Sequence, residues 1–175
     1  MPNGLALAIV LLVVMLFLAY MVSLLLNFLT PFYTTPKKAS KKIIDLFNLS
    51  SKDSFVDLGS GDGRMVFETY RRYKCKSTGY EISPVLLLFV KLKKLLLYPF
   101  NPKIQIKEES FFSADLSSYS VIYCCLARDV LEILEKKFEK ELVKDTIVYT
   151  YRDRLPTKKG KTFDIDGEVV YQYTF

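Results

Sequence analysis

The sequence predicts an α/β fold, a Rossmann-like doubly wound sheet preceded by one transmembrane helix. Three observations predict it. The apolar run Ser54-Phe55-Val56 closes in the glycine-rich turn Asp57-Leu58-Gly59-Ser60-Gly61-Asp62-Gly63-Arg64 and opens an amphipathic stretch. Short strand-like segments then alternate with helical ones as far as Tyr151, the pattern of parallel crossovers. Finally, no Lys, Arg, Asp or Glu precedes Lys37, and Leu5 to Leu29 is apolar except for Ser23 and Asn27.

That N-terminal run exceeds the roughly 20 helical residues needed to cross a hydrocarbon layer. A signal peptide needs a basic start and a small-residue cleavage site, and Met1-Pro2-Asn3-Gly4 supplies no side-chain charge. A buried soluble helix is the other alternative, but apolar residues all round over so many turns favour a span. Residues 1–29 are therefore expected to be a transmembrane helix, 30–36 a linker and 37–175 one globular domain. Lys37, Lys38, Lys41 and Lys42 follow the span, so the positive-inside rule places that domain in the cytoplasm as part of a single-pass membrane protein. The whole +6 net charge belongs to it. Part of this excess suits anionic headgroups. Nucleic acid is the competing partner for a basic domain, but no recognised motif is present and none is expected.

After the span, Pro31 and Pro36 favour an extended linker, and a helix is expected to start with Thr35 as N-cap and Pro36 in its first turn. Phe55–Leu58 reads as a strand, Gly61–Tyr73 as a helix, Cys75–Ile82 as a strand and Pro84–Leu97 as a helix. With Lys91, Lys93 and Lys94, that second helix reads as buried with a basic face. Ile104–Lys107 and Tyr119–Leu126 are the next strands, with too few residues between them for a crossover helix. A helix over Asp129–Leu142 and a strand over Thr146–Tyr151 follow. Lys161–Ile165 and Glu168–Thr174 flank Asp166-Gly167, a strong hairpin turn. Cys75, Cys124 and Cys125 are odd in number and expected to be reduced, the adjacent pair serving as small hydrophobes. The chain has no histidine, which excludes histidine-based triads and His-containing zinc sites.

The glycine turn carries the functional reading. Glycines at alternate positions let a strand turn into a helix while backbone N–H groups approach a ligand. The dinucleotide fingerprint places its third glycine three residues after the second, whereas Gly59, Gly61 and Gly63 keep a strict alternate rhythm. That rhythm is similar to the loop of S-adenosyl-L-methionine (SAM) methyltransferases with a seven-stranded sheet, here in a trimmed version of the class I fold. Gly59, Ser60, Gly61 and Gly63 are expected under the methionine part of the cofactor, with Asp57 near its ammonium group. Glu81, eighteen residues after Gly63, suits the ribose hydroxyls. Ser110 and Phe111, after the third strand, are placed to meet the adenine. An ordinary tight turn and a structural Asp57 are the bland alternatives.

Amino-group methyltransferases of the nucleic-acid type place an Asn/Asp-Pro-Pro-aromatic motif after the fourth strand. This chain has Cys124-Cys125-Leu126-Ala127, an apolar slot that suits an aliphatic amine such as lysine. With a lysine pKa of about 10.4, only on the order of one amine in a few thousand is neutral at pH 7. Desolvation and a neighbouring positive charge must favour deprotonation, after which positioning can suffice without a dedicated base. Tyr123, Thr150 and Tyr151 are candidates to orient the amine; no catalytic residue is assigned.

The linker Thr30 to Pro36, the glycine loop, the segment Phe111 to Tyr119 and Leu131 to Leu142 resemble the membrane-anchored protein-lysine methyltransferases. That family acts on the mitochondrial adenine nucleotide translocase and the ATP synthase c-subunit, and has soluble archaeal relatives. The resemblance covers about residues 30–151. It implies a SAM-dependent enzyme acting on a protein lysine, with a membrane protein among the candidate substrates and with Thr35 and Pro36 packing near the cofactor. Glu109-Ser110 stands where the family has Gly-Asn, no proline follows strand four near Ala127-Arg128, and the chain has no tryptophan. Those departures keep two other readings open: a lipid or small-molecule methyltransferase, and a non-catalytic SAM-binding protein.

Overall fold

The computed structural model describes residues 2–29 and 34–175. Thr30, Pro31, Phe32 and Tyr33 of the expected linker lie outside the described residues. The chain divides into a unit of residues 1–32 and a unit of residues 33–175. The first is α1 (Pro2–Leu29), in which Gly4–Val22 has a mean hydropathy of 3.0 and no buried residue. By length and composition it can cross a membrane.

The second unit contains α2 (Lys37–Asp45), β1 (Ser54–Leu58), α3 (Arg64–Tyr73), β2 (Lys76–Glu81), α4 (Pro84–Leu97), β3 (Ile104–Glu108), β4 (Val121–Cys124), α5 (Arg128–Glu141), β5 (Ile147–Tyr151), β6 (Lys161–Ile165) and β7 (Glu168–Thr174). These strands form one seven-stranded sheet in the order β3-β2-β1-β4-β5-β7-β6. The first five are parallel, and β7 and β6 close the edge antiparallel. Asp166 and Gly167 both take positive φ, 57° and 84°, as a two-residue hairpin turn requires. No helix joins β3 to β4, in agreement with the short spacing.

Alternation along the central strands sends one set of side chains to each face of the sheet. Phe55, Val121, Tyr123 and Tyr149 pack against Ile43, Ile44 and Phe47 on one side. Val56, Leu58, Ile122 and Val148 pack against Leu131, Leu134 and Phe138 of α5 on the other. Opposite faces follow from handedness, since β1→β2 and β4→β5 run in opposite directions across the sheet and each crossover is right-handed. Each large side chain buried this way contributes roughly 1.5–3 kcal/mol. The order reverses between β1 and β4, and the crevice beyond their carboxyl ends is where such sheets bind ligands.

Two expectations are corrected. Thr35 does not cap α2: Pro36 is the N-cap residue, no side chain caps it, and the Thr35 hydroxyl is held by Tyr123 instead. Helix α4 is not buried either, since only Leu87 and Val90 reach the interior. Its apolar residues lie on more than one side, and a helix lying on a sheet can bury only one of its faces.

Candidate functional site

The turn from β1 into α3 is drawn tight by backbone bonds. The Gly59 and Ser60 N–H groups both donate to the Tyr80 carbonyl, at 3.0 and 2.8 Å, and Gly63 N–H donates to the Ser60 carbonyl at 2.8 Å. Gly59, Gly61 and Gly63 have φ of 81°, 52° and 73°, which other residues rarely adopt. Their surroundings differ. A Cβ at Gly63 would fall 2.5 Å from Val90 and 2.6 Å from Phe67, so this glycine permits α3 and α4 to pack. A Cβ at Gly61 would meet nothing within 4 Å among the described residues. Ser60 turns inward, and its hydroxyl would stand 2.6 Å from a Cβ at Gly79 of β2.

Glu81 ends β2 and is buried. One carboxylate oxygen accepts from Gly61 N–H at 2.8 Å, and the other accepts from Ile82 and Ser83 N–H at 2.9 Å each. It thus ties the glycine loop to the start of α4. Asp57 is also buried, and desolvation holds its carboxyl well above the ordinary value, with the charges of Glu81 and Asp62 pushing the same way. Asp62 accepts from the Arg64 backbone N–H and pairs with the Arg64 guanidinium, both at 3.0 Å. Arg64 in turn donates to the Thr35 carbonyl at 2.5 Å. Arg64 and Asp62 were not singled out from sequence, although both sit inside the glycine motif.

At the end of β4, the Tyr123 and Thr35 hydroxyls are 2.6 Å apart and buried. Burial keeps the Tyr123 phenol protonated and pushes the Cys125 thiol up to about 11, so neither is a ready base or nucleophile at neutral pH. The Thr150 hydroxyl donates to the Asp153 carbonyl at 2.6 Å, and Tyr151 is buried. Leu126 reaches over the loop, 3.2 Å from where a Gly59 Cβ would stand. Ser110 opens the turn after β3, its hydroxyl accepting from Phe112 N–H at 3.3 Å. Phe111 is half-buried, packed on the α5-side core and against Phe112.

These residues fit a cationic nucleoside ligand such as SAM. Three carboxylates, Asp57, Asp62 and Glu81, converge on the loop, and both charges that reach Asp57 are anionic. An ammonium or sulfonium group beside these carboxylates would offset that repulsion.

Known proteins agree. The model of the ANTKMT methyltransferase domain matches residues 57–162, more than half of the chain. A protein-lysine N-methyltransferase of Saccharolobus islandicus (strain REY15A) is 29% identical over 122 residues, which make up 69% of this chain and 75% of that protein. The structure of an RNA methyltransferase from Salinibacter ruber in complex with S-adenosyl-L-homocysteine superimposes with a TM-score of 0.75 at 27% identity, covering 81% of this chain and 92% of that one. A SAM-dependent methyltransferase from Thiobacillus denitrificans, in complex with the same compound, shares the fold at 19% identity and a TM-score of 0.57, over 73% of this chain and 54% of that one. The chain therefore belongs to the ANTKMT methyltransferase domain family and is a SAM-dependent methyltransferase.

Proposed function

We propose that this enzyme transfers methyl groups from SAM to a lysine side chain of a protein at a membrane surface. The observation that carries the acceptor class is the end of β4. There the fully buried Cys124, the nearly buried Cys125 and Leu126 form an apolar rim, in place of the amide or carboxylate and stacked aromatic that would grip a flat base. The protein-lysine methyltransferase relative supports the same acceptor. Residues 1–29 act as the membrane anchor, 30–36 as the linker and 37–175 as the methyltransferase domain, with the lysines after the anchor holding that domain on the cytoplasmic side.

In this reading Asp57 and Glu81 bind the ammonium group and ribose, Gly59 and Gly61 let the cofactor approach the backbone, and Ser60 and Gly63 shape the loop from behind. Ser110 and Phe111 border the adenine, and Thr35 closes the entrance beside Tyr123. SAM supplies an electrophilic methyl on a positive sulfur. The protein must then present a neutral amine in line with it. Thr150 is committed to the Asp153 carbonyl and Tyr123 to Thr35, so positioning and desolvation, not a dedicated base, favour the free amine.

The RNA methyltransferase from Salinibacter ruber favours a second reading, a nucleic-acid acceptor. Incubating the full chain in membranes with tritiated SAM separates the possibilities. Label in protease-sensitive material that yields methyl-lysine on hydrolysis is the expected result. Label in RNA, lipid or a small molecule would overturn the lysine assignment, and SAM binding with no labelled product would leave a sensor.

A further inference from the structure

Helix α4 carries two apolar faces and uses only one. Leu87 and Val90 point inward, where Val90 joins Val66, Phe67 and Ile104 in a core cluster. At 3.6 residues per turn, Val85, Leu88, Phe89, Leu92, Leu95 and Leu96 share the opposite face. All six are exposed, from 43% at Val85 to 74% at Leu96, and Phe100 just beyond the helix is 95% exposed. A soluble surface rarely shows so large a contiguous apolar patch without a partner.

The rim of this patch is basic. Lys91 and Lys93 border it on either side, Lys91 reaching Glu108 at 2.7 Å and Lys93 the Asp62 carbonyl at 3.0 Å. A cavity of about 670 Å³ joins Phe89, Lys93 and Leu97 of α4 to Lys37, Lys38 and Lys41 of α2. Phe89, at the edge of the apolar face, therefore borders the same cavity as the lysines that follow the N-terminal helix, with Asp62 and Glu68 also in its wall. An apolar stripe with a lysine rim is the composition of a helix that lies in a membrane interface. The rim is complementary to anionic headgroups.

We infer that the outer face of α4 seats on an anionic lipid surface as a second membrane contact, distinct from the span. The tether agrees with this, because residues 30–36 can extend at most about 25 Å. A spanning α1 would thus keep the domain within reach of the headgroups. The inference rests on the membrane placement proposed above only through that tether.

The test uses the full chain in phosphatidylcholine vesicles with and without phosphatidylglycerol. Nitroxide labels are placed at Leu92→Cys on the patch, Lys136→Cys on the exposed side of α5 and Leu12→Cys in α1, the native cysteines being buried. Collision with oxygen against a water-soluble nickel complex reports depth. At Leu92, oxygen should win several-fold when phosphatidylglycerol is present, and nickel should win at Lys136. The double change Leu88→Asp with Leu95→Asp should return the Leu92 label to water while SAM affinity is retained. A Leu92 label as aqueous as Lys136 overturns the inference, as does one shielded from both reagents, which would mark a protein contact. The Leu12 label decides the span separately: aqueous there with Leu92 in lipid removes the span and leaves the α4 contact standing.

Discussion

The hydroxyl groups of Thr35 and Tyr123, 88 residues apart in the chain, form a buried hydrogen bond of 2.6 Å. It joins the entry of α2 to central strand β4, while Arg64 of α3 holds the carbonyl of the same threonine. Removing one hydroxyl strands the other in the interior, which costs about 1–3 kcal/mol. Thr35→Val and Tyr123→Phe should each destabilise the enzyme by that order, and the double variant by less than their sum. Urea unfolding of all four proteins checks this; strictly additive costs would show that the hydroxyls act independently.

Asp57 predicts a pH dependence with a definite sign. Its carboxyl is raised above the ordinary value of 3.8, first by burial and then by Glu81 and Asp62. The unfolded chain ionises at lower pH, so the stability Asp57 contributes is complete below about 3.8 and is lost as pH rises through the folded value. A bound ammonium group favours the carboxylate. SAM affinity should therefore rise with pH through the same window, with release of a proton. Calorimetry in buffers of different ionisation enthalpy measures the proton directly, and Asp57→Asn should abolish it; proton uptake on binding would contradict the placement of the ammonium group.

Gly61 and Gly63 should fail in different ways. Gly63→Ala drives a methyl into Val90 and Phe67 at a positive φ and should cost about 1–3 kcal/mol of stability or more. Gly61→Ala meets no atom of the described residues within 4 Å, so its folding penalty is chiefly the strain of its φ, while SAM affinity should fall because the methyl would take cofactor space. The larger Gly61→Arg should abolish binding. Thermal melts paired with SAM titration distinguish the two positions, and unchanged affinity in Gly61→Arg would refute the assignment of the loop.

Glu81→Gln tests whether the acid is more than a cap. The amide nitrogen cannot accept, so the bond from Gly61 N–H or the pair from Ile82 and Ser83 is lost. SAM affinity should drop on the order of tenfold or more, since a charge-assisted bond contributes about 1.5–3 kcal/mol. Retained affinity with a lowered melting temperature would leave Glu81 a purely structural residue.

Glu135 of α5 is buried and accepts from Thr157 N–H, the Thr157 hydroxyl and Lys158 N–H, at 2.7 to 3.2 Å. It pins the connection between β5 and β6, which runs without a helix. Glu135→Ala should cost about 1–3 kcal/mol by leaving those donors unpaired. Hydrogen exchange should rise at Thr157 and Lys158 while exchange at the glycine loop is unchanged.

Local signals carried most of the fold. The glycine rhythm, the strand-helix alternation and Asp166-Gly167 each act over a few residues, so they can be read from adjacent side chains and backbone freedom. The length of the N-terminal apolar run likewise follows from composition. Other features were decided only by the tertiary structure. Thr35 looked like a helix cap because its neighbours favour one, but a tyrosine distant in sequence claims its hydroxyl. Ser60 sits in the loop motif, yet the absence of a side chain at Gly79 draws it inward. Helix α4 reads from its sequence as buried with a basic face, yet its apolar residues occupy more than one face and do not say which of them the sheet covers. Partners far apart in the chain and the choice between two equivalent apolar faces depend on packing, which periodicity in one segment does not encode.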